Sequence, residues 1–288
     1  MKRFKTGDEF INYLRSKRHL SRQTVRCYEL DLQQFIHFLQ AGRDNNADVE
    51  QMLEKVDADT IRAYIKSLRA KKYSQATTAR KLASLRTFYK FLSRRNGKFS
   101  NPAKAVQVKQ PERHGPKLLK ERDVQKLLDS NFTDDWLGAR NKALLQTLYS
   151  TGVRVGELVA LNVDDVDFTK GLIYIRTKGK KTRVIGLEKS ALFALAEYIR
   201  QRKKVAEYDN GERPLFLNKF GHRLSQRDVR RKMDMYLATA GLDRSFSPRS
   251  LRHSFAARQL HTGRDLYKVK EMLGHQAIAS TLVYTEAS

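Results

Sequence analysis

The chain has 288 residues, with 57 Lys plus Arg against 31 Asp plus Glu and a formal charge of +26. That length allows one large domain or two of roughly 150 residues, and the excess positive charge repels itself unless a polyanion relieves it, so nucleic acid leads the partner classes. Hydrophobic residues at 40% and charged residues at 31% suit a soluble globular protein, and no apolar run approaches the roughly 20 residues of a membrane-spanning helix.

The basic start, Met1 to Lys5, is followed by Asp8 and Glu9 rather than an apolar stretch. The reading therefore expects no export signal, no membrane partner and a cytoplasmic, nucleoid-associated protein. Cys27 is the single cysteine. It has no disulfide partner, no Cys and His cluster has zinc-ligand spacing, and it reads as a small buried helix residue.

In chain order the first third is helical. Ser21 caps a segment in which Tyr28, Phe35, Phe38 and Leu39 recur at helical offsets. Ser74 starts another, with Leu82, Leu85, Tyr89 and Leu92 on one stripe. No acidic residue occurs between Asp59 and Glu112, while Lys and Arg recur from Arg62 to Lys109. Arg80, Lys81, Ser84, Thr87 and Lys90 lie off the apolar stripe, a basic and hydroxylated face that suits a DNA groove. Pro102, and then Pro111 to Pro116 with Gly115, break the pattern. The expected division is a domain over 1–105, a linker over 106–117 and a second domain over 118–288.

Beyond the linker, Val124, Leu127 and Leu128 and then Ala143 to Leu148 read as helices. Leu172–Ile175 and Arg183–Ile185 are β-branched runs, with Lys178 at the edge of a hairpin turn between them. Helical periods return around Leu195, Tyr236, Leu251, Val269 and Leu282. The fold class is thus mainly α in two domains, the second carrying a small antiparallel sheet.

Ser247-Pro248 opens a helix, serine at the cap and proline in the first turn, where its missing N–H costs nothing. Arg249, Arg252 and His253 share one face of it, and two guanidinium groups near a helix N-terminus can hold a phosphate. Arg154 precedes Glu157 by three residues, the spacing of an exposed ion pair. Gly274 can end a helix in a left-handed conformation with His275 just beyond. Tyr284 alone reads as a buried aromatic.

Taken in order, the basic domain, linker, Arg154 with Glu157, Lys178, Leu251-Arg252-His253, Leu273-Gly274-His275 and Tyr284 resemble the tyrosine recombinases. The likeness is nearest to their Xer branch and to phage integrases, and it spans nearly the whole chain. It implies an N-terminal helical core-binding domain of SAM-like type and a C-terminal catalytic domain that clamp double-stranded DNA. It implies that Tyr284 attacks the scissile phosphate to give a 3′-phosphotyrosyl link, and that Arg154 and Arg252 hold the non-bridging oxygens. Lys178 would protonate the leaving oxygen, His275 would hydrogen-bond the phosphate, and Glu157 would support Arg154.

The chemistry explains these residue types. A phenol with a pKa of about 10 is only about one part in a thousand ionised at neutral pH, so cations must favour its anion or a base must take the proton. Two arginine forks stabilise the charge of a pentacovalent transition state as fixed donors. The covalent link conserves the phosphodiester energy, so neither nucleotide cofactor nor metal ion is expected.

Two departures stand out. Where the family usually has His, sometimes Lys, this chain has Arg249, which donates to phosphate but is not deprotonated near neutrality. The expectation is that Arg249 keeps electrostatic support while a water or another group accepts the phenol's proton. Only Thr285 to Ser288 follow the tyrosine, where relatives continue into a tail that docks on a neighbouring subunit; a homo- or hetero-tetramer on two DNA sites would then use other surfaces. An accessory activator protein is a further implied partner. A recombinase-derived DNA-binding protein that no longer cuts and a type IB topoisomerase-like enzyme stand as alternatives.

Overall fold

The computed structural model describes residues 5–18, 20–41, 48–96, 100–109, 115–176, 182–202 and 213–285. The chain divides into two units, Met1–Arg113 and His114–Ser288.

The first unit holds α1 (Lys5–Ser16), α2 (Arg22–Gln40), α3 (Val49–Glu54), α4 (Ala58–Ala70) and α5 (Gln75–Asn96). Local signals start these helices. Ser21 accepts from the Thr24 amide, Asp57 from Thr60 and Ser74 from Thr77. The expected stripe of α5, Leu82, Leu85, Tyr89 and Leu92, is buried, and it meets Phe10, Leu14, Phe35, Ile61 and Tyr64 from the other helices. Phe10 meets Phe88 edge to face at 5.1 Å, and Phe35 meets Tyr64 likewise at 5.0 Å. Each such fully buried side chain contributes roughly 1.5–3 kcal/mol of transfer free energy. Cys27 on α2 is half-buried and free.

Packing in this unit continues past the expected boundary at 105. Val106 is buried, and the Arg86 guanidinium donates to the carbonyls of Ala103 and Val106 at 3.0 and 2.6 Å. Residues 110–114 lie outside the described residues.

The second unit carries α6 (Glu121–Leu128), α7 (Trp136–Thr151), α8 (Val155–Ala160), β1 (Val166–Asp167), β2 (Leu172–Arg176), β3 (Thr182–Gly186), α9 (Lys189–Arg202), α10 (Gln226–Thr239), α11 (Pro248–His261), α12 (Leu266–Leu273) and α13 (Ala279–Leu282). The strands form one antiparallel sheet in the order β1-β2-β3, with Ile173 opposite Ile185 and Arg176 opposite Thr182. Ile173, Ile175 and Ile185 point into the core. Lys178, expected at the hairpin turn, lies outside the described residues.

Helix α7 is buried on nearly every side, so it acts as the spine of the unit. Its hydroxyls serve that position: Thr147 and Thr151 donate to the carbonyls one turn back. The helix ends at Gly152, whose φ of 59° is left-handed. A Cβ there would lie 2.3 Å from the Phe255 ring. Only glycine lets the end of α7 press against α11, and that contact sets the position of Arg252. Among the described residues no helix is long and apolar enough to cross a membrane.

Candidate active site

Arg252 is held from three directions. It sits on α11, is 6% exposed, and its Nη1 donates to the Gly152 carbonyl at 2.6 Å. Its Nη2 donates to the Leu273 carbonyl at 2.7 Å and meets His275 Nε2 at 2.9 Å. A guanidinium carries five N–H groups, so Nε–H and the second Nη1 hydrogen are left to turn toward an anion. Burial first, and then the Arg154 charge, lowers its pKa to about 10, so it stays cationic at neutral pH.

That contact also fixes the ring of His275. Arg252 can only donate, so Nε2 of His275 is the acceptor and its proton lies on Nδ1, which meets Thr281 Oγ1 at 2.9 Å. Burial, followed by the charges of Arg252, Arg154 and Arg183, holds His275 down at about 4. The ring is neutral near pH 7.

Arg154 stands at the start of α8, exposed, with a side chain accessible to 46%. Its Nη1 donates to Glu157 at 3.0 Å and its Nη2 to the Gly274 carbonyl at 3.0 Å. The expected pairing with Glu157 is present, and Glu157 also accepts two bonds from Arg183, at 2.9 and 2.7 Å. Burial of Glu157 opposes its ionisation, but the Arg183 and Arg154 bonds and charges outweigh it and bring the carboxyl to about 2. Gly274 has a φ of 63° and ends α12. A Cβ there would approach Arg183 Nη1 to 2.6 Å and Arg154 Nη1 to 3.6 Å.

Tyr284 follows α13 and is 2% exposed, packed with Phe255, Ala256, Val269 and Leu273. Its hydroxyl lies 2.7 Å from Nδ1 of His253. The rings of His253 and His275 flank it at centroid distances of 5.2 and 6.4 Å. Burial raises the phenol's pKa, while Arg252, Arg249 and Arg154, in that order, pull it down. Arg249 is exposed, and its Nε donates to His253 Nε2 at 3.2 Å.

The fold thus brings Arg154, Glu157, Arg249, Arg252, His275 and Tyr284 together. His253, Arg183 and Thr281 belong to the same constellation and were assigned no role from the sequence. Two had a signal: His253 is four residues from Arg249 on the same face, and Arg183 shares inward parity with Ile185 on β3. Thr281 had none.

The basic face expected on α5 needs correction. Lys81 and Ser84 are each 5% exposed and turn inward to the buried Asp31 carboxylate at 2.8 and 2.7 Å. Arg80 reaches the same carboxylate while staying partly exposed. An apolar stripe predicts which residues are buried for hydrophobic reasons, but a buried acid on another helix draws cations inward too. Lys90 remains exposed, and Thr87 donates to the Ala83 carbonyl.

Residues 117–288 match the phage integrase family, and residues 8–96 match its N-terminal SAM-like domain. Tyrosine recombinase XerC of Syntrophus aciditrophicus is 36% identical over 97% of this chain and 92% of that protein. Tyrosine recombinase XerD of Oceanobacillus iheyensis is 33% identical over 98% of this chain and 93% of its own. Among solved structures, XerH recombinase bound to its difH substrate before cleavage is similar in fold, with a TM-score of 0.76, 23% identity and coverage of 97% of this chain and 81% of that one. The chain belongs to the phage integrase family and is a site-specific tyrosine recombinase, an enzyme that cleaves and rejoins DNA. Its similarity to the Xer proteins extends over both units.

Proposed function

We propose that Tyr284 is the nucleophile and that Arg154 and Arg252 hold the scissile phosphate of a double-stranded DNA site. Oη forms a bond to phosphorus as the bond to the 5′ oxygen breaks, leaving a 3′-phosphotyrosyl link and a 5′-hydroxyl that attacks the partner strand's phosphotyrosyl link and displaces that tyrosine. The observation that carries this reading is the meeting of the Tyr284 hydroxyl with α11 through His253, one residue from Arg252. A phenolate forming there feels the charges of Arg252, Arg249 and Arg154, and these donors are already in place before charge develops.

Glu157 positions Arg154 by accepting from its backbone N–H and its guanidinium at 2.8 and 3.0 Å. When Arg252 turns its donors to the anion, His275 can carry its proton on Nε2 and donate it to the phosphate, with Nδ1 accepting from the Thr281 hydroxyl. Lys178 is the proposed acid for the leaving oxygen. Arg80, Thr87 and Lys90 are the proposed DNA contacts of α5. The working assembly is a tetramer on two DNA sites, acting on chromosomal or mobile-element DNA in the cytoplasm, with room for an activating protein.

A nicked suicide duplex, which traps the link because the cleaved fragment diffuses away, tests the central claim. Wild type becomes covalently attached to the DNA and Tyr284→Phe does not. An adduct formed by Tyr284→Phe would overturn the assignment.

A further inference from the structure

The phenol of Tyr284 has one side-chain hydrogen-bond partner among the described residues, and it is His253 rather than Arg249. The two contacts of that imidazole decide what it can do. Arg249 is permanently protonated, so its Nε–H, 3.2 Å from Nε2, occupies the ring's lone pair on that side. A neutral imidazole bears one hydrogen, which is therefore on Nδ1, the atom 2.7 Å from the Tyr284 oxygen. In that tautomer His253 donates to the phenol oxygen and has no lone pair to receive the phenol's proton.

We propose that His253 is a fixed hydrogen-bond donor to the Tyr284 phenolate, its tautomer set by Arg249, and that it is not the base that deprotonates the phenol. The inference rests on the reading of Tyr284 as nucleophile. It assigns Arg249 a positioning role, because this residue acts on the nucleophile through the histidine four positions along α11. The phenol's proton leaves to water or hydroxide. The phenolate then bonds to phosphorus, the bond to the 5′ oxygen breaks, and that oxygen takes a proton.

Geometry and electrostatics agree. The groups that face this pair are Arg249 and Arg252 from α11 itself, Arg154 from the start of α8, His275 from beyond α12, and Tyr284 from beyond α13. Burial, and then the charges of Arg249 and Arg252, holds His253 at about 4, so it is neutral while the enzyme works. A donor to an oxygen favours that oxygen's anionic form. Removing one preorganised donor of this kind slows chemistry by about a hundredfold or more.

Single-turnover cleavage of the nicked suicide duplex across about two pH units either side of neutrality separates donor from base. His253→Asn keeps an amide N–H near the Nδ1 position but has no basic nitrogen, whereas His253→Phe keeps a ring without a donor. The asparagine variant is expected to cleave within about fivefold of wild type with its pH profile in place. The phenylalanine variant is expected to fall about a hundredfold at neutral pH, with its rising limb moved to higher pH. Equal loss in both variants, with the limb unmoved, would overturn the proposal in favour of a proton acceptor, and wild-type rates in His253→Phe would remove any role.

If the larger ring disturbs the fold, His253→Ala with added azoles gives the same decision. Imidazole, which carries an N–H, should restore cleavage, while 1-methylimidazole, which offers only a lone pair, should not; equal rescue by both would overturn the donor role. An adduct that survives Tyr284→Phe would instead mean that the nucleophile is misassigned.

Discussion

Two carboxylates, one in each unit, gather cations around themselves with opposite results. Asp31 on α2 is 2% exposed and holds Arg80, Lys81 and Ser84. Glu157 on α8 holds Arg154 and Arg183, but the Arg154 side chain stays 46% exposed. The first cluster is closed at Lys81 and Ser84, which turn inward to the acid, and only Arg80 keeps an exposed side chain. The second is open at Arg154, while Arg183 is only 11% exposed, so the same kind of ion pair buries a lysine in one place and leaves an arginine accessible in the other. The lesson is that a count of cations says little about binding until the acids that engage them are known.

The contrast is sharpest for the closed cluster. Asp31→Ala leaves Lys81 buried without its carboxylate, and breaking such a pair destabilises by about 3–5 kcal/mol. Denaturant unfolding of the full chain should show that loss in the transition of the N-terminal unit. If the midpoint barely moves, the cluster is not the brace described here.

For the open cluster the effect appears in rate rather than stability. Arg252→Lys keeps a positive charge but loses the fork that meets Gly152 and Leu273 together. Single-turnover cleavage should slow by about a hundredfold or more, about 3 kcal/mol in the barrier, with far-ultraviolet circular dichroism unchanged. A lysine variant that cleaves at the wild-type rate would show that charge alone suffices.

Gly274 links geometry to both arginines of the open cluster. Gly274→Ala forces an L side chain into φ 63° and presses a methyl against Arg183 Nη1. The left-handed conformation costs about 1–2 kcal/mol, and displacement of Arg183 and Arg154 should cost additional cleavage activity. A stability loss with cleavage intact would separate the backbone requirement from the positioning of the guanidinium groups.

Acidification probes the same site through its titrating groups. His253 and His275 are held at about 4 against an ordinary 6.5. Between those values the unfolded chain binds protons that the folded chain refuses, so stability falls as pH drops from about 6.5 toward 4. Glu157, held at about 2 against 4.5, removes further stability as pH falls from about 4.5 toward 2. Thermal melts should shift by on the order of a few degrees across the upper window, and His253→Asn should flatten part of that slope. A melting temperature level from pH 6.5 to 4 would contradict the buried, cation-flanked placement of these rings.

What could be read from the amino-acid order alone follows the same division. The α5 stripe and the caps Ser21, Ser74 and Ser247 were legible because they are set by residues within a turn or two of one another. Arg154, Arg252, His275 and Tyr284 were singled out because their flanking motifs resemble a known series, and the fold brings them near one another. Lys81 was misread because its partner, Asp31, is 50 residues away on another helix, and no local periodicity reports such a pairing. His253 lay in plain view beside Arg252, yet its role depends on where Tyr284 docks, which is a tertiary fact.

The smallest expected effect discriminates most finely between exposed and engaged cations. Lys90 is exposed on α5, whereas Lys81, nine positions earlier on the same helix, is bonded to Asp31. If Lys90 meets a DNA phosphate, Lys90→Ala lowers the slope of log affinity against log salt by about 1 and leaves unfolding unchanged. Lys81→Met should do the reverse, shifting the unfolding midpoint while the salt slope stays put. Both effects can be read on the same duplex and the same denaturant series, so a salt slope that responds to Lys81 would make that buried lysine a DNA contact. A slope indifferent to Lys90 would remove it from the DNA-facing surface and leave Arg80 to carry the phosphate contact of α5.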